Sequence, residues 1–425
     1  MLQQDEDNTS VVFFCGDASN GKIAMCATSL FSKVIHEVAS NGDDLIGLCR
    51  DGCYNLSTAL PVHGCDFKAS HFCAGKDAHF VLSSSNSTVY SWGEGSYGEL
   101  GLGCCKTKVE QPTAIKHKAS FSSISCGECH GAAVDQMGNA YSWGQNFDRQ
   151  LGLYRKDSSN FRGTNCVVEE IMFVPSLLPF SLNSPILKIS CGAKFTVAVG
   201  INGDLWSWGA GECGQLGTGR CTRRESPKII TFPFNKNEND DDNDPFRIPT
   251  ADVNENINCS IKIVDVACGA SHVIAIADDC SVYGWGMNKR GQLGLGDTDT
   301  RHIPTLLPDT FLQKIYSDGN SSAGINVSGE LFTWGSGSSY RLMHIKEVEE
   351  EEEEEDEEEG GGGGGEIQGS DSHRNIPTYV ECLYGNIVHS YAFARTSSAA
   401  LVITRLYEVT FYSPLDSILV IFTII

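Results

Sequence analysis

The sequence predicts an all-β fold, namely a seven-bladed β-propeller that is closed by pairing of the N-terminal strand with the last blade. A Trp-Gly pair recurs five times along the chain, in units of roughly 50 residues. The stretches between turn residues are short and rich in Val, Ile, Tyr, Phe and Trp, which is typical of strands. The five pairs are Trp92-Gly93, Trp143-Gly144, Trp208-Gly209, Trp285-Gly286 and Trp334-Gly335.

Each unit has further strands around its Trp-Gly pair. An apolar strand ends in Cys-Gly or Ala-Gly, and a second apolar strand follows a short polar turn, as at Cys126-Gly127 and Cys268-Gly269. Asn-Gly turns, such as Asn202-Gly203, supply the positive φ that tight hairpins need. Prolines predict where the fourth, outermost strands begin, because an edge strand tolerates a missing N–H. These prolines are Pro112, Pro227, Pro304 and Pro377.

Seven units can be traced, and the chain ends complete one of them. The units lie near residues 38, 72, 124, 189, 266, 315 and 387. The last unit lacks its third strand, and residues 11–16 fit that slot, with Cys15 where tryptophan stands elsewhere. Strand sharing between the first and last segments closes a propeller and removes its open edge. A linear array would instead need polar capping repeats, which the sequence lacks.

The propeller is expected to occupy residues 1–404 as one domain. The stretch 154–184 is a moderate insertion, and its apolar part 171–174 is expected to pack against the body. The insertions 235–258 and 346–373 are acidic and are expected to be disordered, because like charges repel and glycines add backbone entropy. The tail 405–425 is apolar and matches no repeat element, so its role stays unassigned.

Composition limits the classes of partner. The chain has 425 residues, 18 cysteines and a formal net charge of −23. An acidic chain is a poor direct DNA binder and a better partner for basic proteins such as histone tails. No apolar stretch reaches the roughly 20 residues of a membrane span. The acidic, polar start is unlike a signal peptide, so reduced thiols, a monomeric state and a nuclear or cytoplasmic location are expected.

The repeat resembles a known family. Trp-Gly followed by Gly-Gln-Leu-Gly-x-Gly, cleanest at 285–296, with Cys-Gly-x-x-His upstream, resembles the regulator of chromosome condensation repeat over about residues 11–404. The resemblance implies a seven-bladed, protein-binding propeller. Some members exchange guanine nucleotides on Ran-like GTPases, some bind nucleosomes, and some target other enzymes.

The turn after Trp-Gly has a structural interpretation. The glycines Gly98, Gly214 and Gly291 are expected to take backbone conformations that side chains disfavour. In the second full copy Asp148 is expected to hold that place, which aspartate tolerates at some cost. The unit after Trp334 lacks Gln-Leu-Gly, and an irregular blade is expected there.

One stretch of the sequence resembles a cofactor-binding motif, but the repeat explains it. The stretch 126–130, Cys-Gly-Glu-Cys-His, matches the pattern of haem attachment or thiol redox chemistry. However, Cys126 recurs as Cys268 and His130 recurs as His272, which indicates repeat positions. No second pair of metal ligands stands at a suitable spacing. We therefore expect no metal, cofactor or catalytic residue, and expect both histidines to be turn residues bonded within their blades, with partner binding as the alternative.

Two basic clusters stand out on the acidic body, and they are the remaining candidates for partner binding. They are Arg220, Arg223 and Arg224, and the pair Lys289-Arg290. The simplest interpretation is that these charges keep the protein soluble. The more specific interpretation is that the arginines anchor an acidic partner, because arginine makes bidentate contacts with carboxylates.

The sequence therefore favours a non-catalytic scaffold for protein–protein interaction, with histones or a histone-modifying enzyme as candidate partners. One alternative is a guanine nucleotide exchange factor for a Ran-like GTPase, which would act by binding the nucleotide-free state. Family exchange factors usually carry a basic tail, and the acidic start of this chain disfavours that alternative. A second alternative is a substrate-targeting module of a larger complex.

Overall fold

The computed structural model describes most of the repeat region. The described residues are 9–16, 24–27, 35–40, 44–56, 58, 60–103, 108–153, 170–230, 261–338, 341–344, 373–394 and 397–404. The predictions for 235–258, for 346–372 and for the tail 405–425 concern residues outside these ranges.

Seven antiparallel sheets make up the described fold, and we number them as blades 1 to 7. The strands β1 (Thr9–Gly16) and β2 (Ala24–Ala27) come first in the chain but belong to blade 7. Blade 1 contains β3 (Ile35–Ser40), β4 (Leu45–Cys49) and β5 (Cys53–Asn55). Blade 2 contains β6 (Ala69–Ala74), β7 (Ala78–Ser83), β8 (Val89–Glu94) and β9 (Lys108–Ala114). Blade 3 contains β10 (Phe121–Cys126), β11 (His130–Asp135), β12 (Ala140–Gln145) and β13 (Ile171–Leu177).

The remaining blades follow the same order. Blade 4 contains β14 (Ile186–Cys191), β15 (Phe195–Gly200), β16 (Leu205–Gly209) and β17 (Arg224–Ile230). Blade 5 contains β18 (Ile263–Cys268), β19 (His272–Ala277), β20 (Ser281–Gly286) and β21 (Arg301–Phe311). Blade 6 contains β22 (Lys314–Asp318), β23 (Ser321–Ile325), β24 (Leu331–Gly335) and β25 (Arg374–Tyr379). Blade 7 adds β26 (Val388–Phe393) and β27 (Ser397–Thr404), and short 3₁₀ turns span Pro179–Leu182 and Glu381–Leu383.

The predicted ring closure is confirmed. The first strands of neighbouring blades contact one another all the way round, including β26 with β3. The strand β1 pairs with β27, and Cys15 faces Ser398 in the register that Trp208 and Thr196 share in blade 4. The fourth strand of blade 7, β2, has no clear sequence signal and was not predicted. Val12 is fully buried between blades 7 and 1, so closure also completes a hydrophobic core.

Two predictions for the outer strands are corrected by the pairing. None of the four prolines begins its strand. Each lies inside an outer strand at a register shift, as Pro227 does in β17 between the pairs Ser207–Lys228 and Gly209–Arg224. The others are Pro112 in β9, Pro304 in β21 and Pro377 in β25. The bulge needs no ladder N–H at that point, which is why proline is accepted there. The segment 171–174 packs as predicted, because Met172 lies against a core cluster, but it is the start of β13, the outer strand of blade 3, and not part of an insertion.

The repeated tryptophans join each blade to the one before it. Their indole N–H groups donate to backbone carbonyls in the turn of the preceding blade. These bonds are Trp143 to Glu99 at 2.7 Å, Trp208 to Gln150 at 2.9 Å, Trp285 to Gln215 at 3.0 Å and Trp334 to Gln292 at 3.0 Å. All four side chains are at most 1% exposed. The repeat motif therefore supplies both packing and an inter-blade hydrogen bond.

Blade 2 shows the converse case. Blade 1 lacks the Gln-Leu-Gly turn that would accept this bond, and Trp92 of blade 2 is only half-buried. Its ring packs instead against Phe72 and His79, at centroid distances of 5.6 and 5.5 Å. The tryptophan is therefore fully enclosed only where the preceding blade supplies its acceptor.

The turns after the Trp-Gly pairs have the predicted left-handed backbone at their glycines. In blade 3, which has no glycine there, the left-handed residue is not the predicted one. Gly214 has φ +75°, in the left-handed region. In blade 3 the residue in that place is Arg149, with φ +66°, and not Asp148 as predicted. Arg149 precedes Gln150-Leu151-Gly152 just as Gly214 precedes Gln215-Leu216-Gly217.

The described part of the blade 6 turn keeps a hydrogen bond that the other turns make; the expected irregularity concerns a turn that is only partly within the described residues. The Thr333 hydroxyl donates to the Leu342 carbonyl at 2.6 Å, as Ser207 donates to Leu216 at 2.8 Å in blade 4. The Arg341 carbonyl accepts a 2.7 Å bond from the Tyr391 hydroxyl of blade 7. Tyr391 thus donates to the turn of blade 6 a bond like those that the indoles donate in other blades.

Ionisable side chains from the first strands meet near the propeller axis. Lys188 of blade 4 pairs with Asp265 of blade 5. Burial raises the pKa of Glu37 in blade 1 to about 7, and the ammonium groups of Lys314 and Lys188 oppose that rise. The carboxyl of Glu37 is therefore largely protonated below neutral pH.

Replacing Glu37 with glutamine is expected to stabilise the protein above pH 7 and to change little near pH 4.5. The folded carboxyl keeps its proton up to about pH 7, whereas the unfolded chain loses it near 4.5. The wild-type protein therefore loses stability as pH rises between these values, by on the order of 2–3 kcal/mol. Melting temperatures of both proteins from pH 4.5 to 8 test this; a constant difference between them would contradict it.

Candidate partner-binding face

One face of the propeller carries the turns that follow the third strand of each blade, and we name it the tip face. The turn of blade 4 rests on the start of β21, where a side chain on Gly214 would lie 2.4 Å from His302 Nδ1. The turn of blade 5 rests in the same way on Asn375 in β25, 2.6 Å from a side chain placed on Gly291. Each of these tips is therefore held in place by the next blade.

All five basic residues predicted as candidates lie on the tip face. Arg220 and Arg223 are exposed in the segment that leads into β17, and Arg224 begins that strand half-buried. Lys289 and Arg290 are exposed in the turn of blade 5. We name these five residues the basic surface.

Contacts with neighbouring blades show how far the basic surface extends. Arg223 Nη1 donates to the Phe147 carbonyl in the turn of blade 3 at 3.5 Å. Arg290 contacts His373 Nε2, next to the outer strand of blade 6. These contacts join residues 76 and 83 positions apart, so the fold brings separate stretches of sequence to one surface.

Sequence reasoning missed the aromatic residues beside the basic surface. Phe147 is 43% exposed and Tyr97 is 40% exposed, at the turns of blades 3 and 2. Their rings meet edge to face at a centroid distance of 5.9 Å. Each occupies a variable position between Trp-Gly and Leu-Gly, and that variability is the signal that could have identified them. Exposed aromatic residues beside arginines are typical of protein interfaces.

Three cations of the basic surface have no ion-pair partner among the residues that the structure describes. Nearby carboxylates have other partners: Asp148 pairs with Lys194 at 3.6 Å, Glu225 with Arg149 at 4.0 Å and Asp297 with Arg301 at 2.5 Å. Within the described ranges, no ion pair within 4.0 Å engages Arg220, Arg223 or Lys289. Burial and the charge of Arg220 lower the pKa of the Arg224 guanidinium, which stays charged at neutral pH.

The candidate histidines lie inside the propeller. His130 is 1% exposed and His272 is 0% exposed. His130 Nε2 lies 3.0 Å from Thr196 Oγ1, and His272 Nε2 lies 2.9 Å from Ser322 Oγ. Each bond reaches the next blade and not a group within the same blade. Burial lowers the pKa of both imidazoles to about 3, so both are neutral, and we leave them out of the proposed binding surface.

The Cys-x-x-Cys-His stretch is a turn between two strands of blade 3. Cys126 ends β10 and His130 begins β11, and burial raises the pKa of the Cys126 and Cys129 thiols. In the part of the chain that the structure describes, no group of three or more His, Cys, Asp or Glu could hold a metal ion. No helix there has the length and apolar character to cross a membrane.

Models of a known repeat match much of this fold. The model described as the regulator of chromosome condensation (RCC1) repeat matches residues 86–134, 137–199, 202–276 and 279–316. A second model of the same repeat matches residues 186–215 and 263–292. Together the matches run from blade 2 to the first strand of blade 6.

Individual proteins show the same similarity. The ultraviolet-B receptor UVR8 of Arabidopsis thaliana is 30% identical over 266 residues, 61% of this chain and 52% of that protein. Protein RCC2 of Homo sapiens is 29% identical over 332 residues, 73% of this chain and 56% of that protein. The chain thus spans little more than half the length of these relatives. The structure of Prp20p from Saccharomyces cerevisiae superposes with a TM-score of 0.66 at 16% identity, covering 94% of this chain and 93% of that one, and so shares its fold.

Proposed function

Because the chain belongs to the family of proteins built from regulator of chromosome condensation (RCC1) repeats, we propose that it is a non-catalytic scaffold whose tip face binds other proteins. The observation that carries the proposal is the basic surface. Its cations and the neighbouring exposed aromatic residues gather on one face of a chain with a net charge of −23. Such a surface is complementary to an acidic patch on a partner.

Chromatin is the setting that we propose for this binding. Prp20p, which shares the fold, has binding properties to Gsp1p and to histones. Arginines bind carboxylates in bidentate fashion, so the basic surface suits an acidic patch on a histone assembly or on an enzyme bound to it. We therefore propose histones, or an enzyme that modifies them, as the partners of a monomeric protein in the nucleus or cytoplasm. This binding would need no cofactor and no direct contact with DNA.

Guanine nucleotide exchange is the second candidate, and the binding of Prp20p to Gsp1p favours it. An exchange factor performs no covalent chemistry; it binds the nucleotide-free GTPase more tightly than the loaded form. A role as the targeting module of a larger complex is a third candidate. A targeting module would bind its partner through the same basic surface. Release of guanine nucleotide therefore distinguishes an exchange factor from either kind of non-catalytic binding protein.

Two assays on the full chain distinguish these functions. In the first, immobilised protein is incubated with nucleosome core particles at increasing salt, and we expect retention that weakens as salt screens the charges. In the second, release of a fluorescent guanine nucleotide from a Ran-type GTPase is followed with and without the protein. We expect no acceleration. Accelerated release would replace the scaffold proposal by exchange, and absence of nucleosome retention would contradict the chromatin partner.

A further inference from the structure

One cysteine differs from the other cysteines whose side chains the structure describes. Of these eleven, Cys221 alone is exposed, and the rest are buried or half-buried. It lies on the tip face within the basic surface, between Arg220 and Arg223. Positive charge and exposure are the two features that distinguish reactive thiols from structural ones.

A histidine from the next blade stands beside this thiol. Cys221 Sγ lies 3.4 Å from Nδ1 and 3.9 Å from Nε2 of His302, although the residues are 81 positions apart. The backbone holds the pair together, because the Gly219 N–H donates to the His302 carbonyl at 2.8 Å. The same Nδ1 atom also faces the Gly214 turn, where a side chain would come within 2.4 Å of it. The imidazole is therefore fixed against the thiol.

Two other described thiols on the tip face, Cys213 and Cys129, have a different environment. Burial raises the pKa of Cys213, in the same turn region, and the charge of Glu212 raises it further. Burial likewise raises the pKa of Cys129 at the turn of blade 3. Since the thiolate is the nucleophile, these two cysteines carry less of the reactive form. They are matched internal comparisons, because both lie on the same face.

We propose that Cys221 is a site of covalent modification by hydroperoxides, with His302 as the proton acceptor. The thiol gives its proton to an imidazole nitrogen, which leaves the thiolate as the nucleophile. The sulfur attacks one peroxide oxygen, so that an S–O bond forms and the O–O bond breaks. The departing hydroxide or alkoxide takes the proton back from the imidazole. Sulfur is oxidised to the sulfenic acid and the peroxide is reduced to water or an alcohol.

This inference goes beyond partner binding and does not depend on it, and mass spectrometry tests it on the full chain. The native protein is exposed to limiting hydrogen peroxide, sulfenic acid is trapped with dimedone, and labelling is quantified by peptide. Cys221 is expected to label at least about fivefold faster than Cys213 and Cys129. Equal labelling of the three would overturn the proposal without any variant.

Substitution of the histidine tests its role. His302→Gln is expected to slow labelling of Cys221 several-fold and to leave Cys213 unchanged. The circular dichroism spectrum and the melting temperature establish whether this variant folds. A folded variant with an unchanged labelling rate at Cys221 would remove His302 from the proposal. Should the variant not fold, the comparison within the wild-type protein decides the outcome.

Discussion

Replacing Trp208 with alanine is expected to lower the free energy of unfolding by about 3–5 kcal/mol. The side chain is fully buried and lies in the core between blades 3 and 4, with its ring 5.8 Å from that of Phe180. Truncation removes this packing and the indole bond to the Gln150 carbonyl. Urea denaturation, followed by circular dichroism, measures the loss. A loss below about 1 kcal/mol would contradict the role assigned to the repeated tryptophans.

The same strand offers a matched control for the hydrogen bond alone. Trp206 stands two residues away, and its buried Nε1 has no hydrogen-bond partner among the described residues. Trp208→Phe removes an N–H that donates at 2.9 Å, whereas Trp206→Phe removes one that donates to no group within the described residues. We expect Trp208→Phe to cost about 1 kcal/mol more than Trp206→Phe. Equal costs would show that packing, and not the inter-blade bond, explains the effect.

The blades could be predicted from the sequence because each blade repeats the same residue types at the same places. The Trp-Gly pairs fix the third strands, and the unit without one identifies residues 11–16 as its missing strand. The bonds between blades could not be predicted in the same way. Their acceptors are backbone carbonyls, which every residue type provides, and the partners lie 42 to 70 positions apart. The outer strand β13 was missed because a long insertion separates it from Trp143.

At a few single residues the structure differs from the prediction, and each difference has a local cause. Aspartate is the more usual occupant of a left-handed turn, so residue type favoured Asp148 over Arg149. Histidines at turn boundaries resemble exposed turn residues in sequence, but His130 and His272 begin strands whose side chains face the next blade. The basic residues were identified by type, whereas Phe147 could be placed beside Arg223 only by the fold.

Charge reversal on the basic surface has the largest expected effect on function. Arg220→Glu together with Arg223→Glu changes the surface by four charges at exposed positions. We expect affinity for nucleosome core particles to fall about 10- to 100-fold, because two cations become repulsive anions. Neither side chain is part of a core cluster, so the melting temperature is expected to stay nearly constant.

Two lysines on the face opposite the tip face provide the control for this charge reversal. Lys116 and Lys118 are exposed in the connection between β9 and β10. That connection is anchored at Val89 and Ser87, which lie at the other end of β8 from the tip face. Lys116→Glu with Lys118→Glu changes the charge of the protein by the same amount. It therefore controls for the overall change in net charge.

The dissociation constant for nucleosome core particles, measured for the wild-type protein and for both double variants at one salt concentration, tests the central claim most directly. We predict that binding weakens about 10- to 100-fold for the Arg220/Arg223 variant and less than about threefold for the Lys116/Lys118 variant. Equal weakening by both, or no weakening by the arginine variant, would contradict the assignment of partner binding to the basic surface.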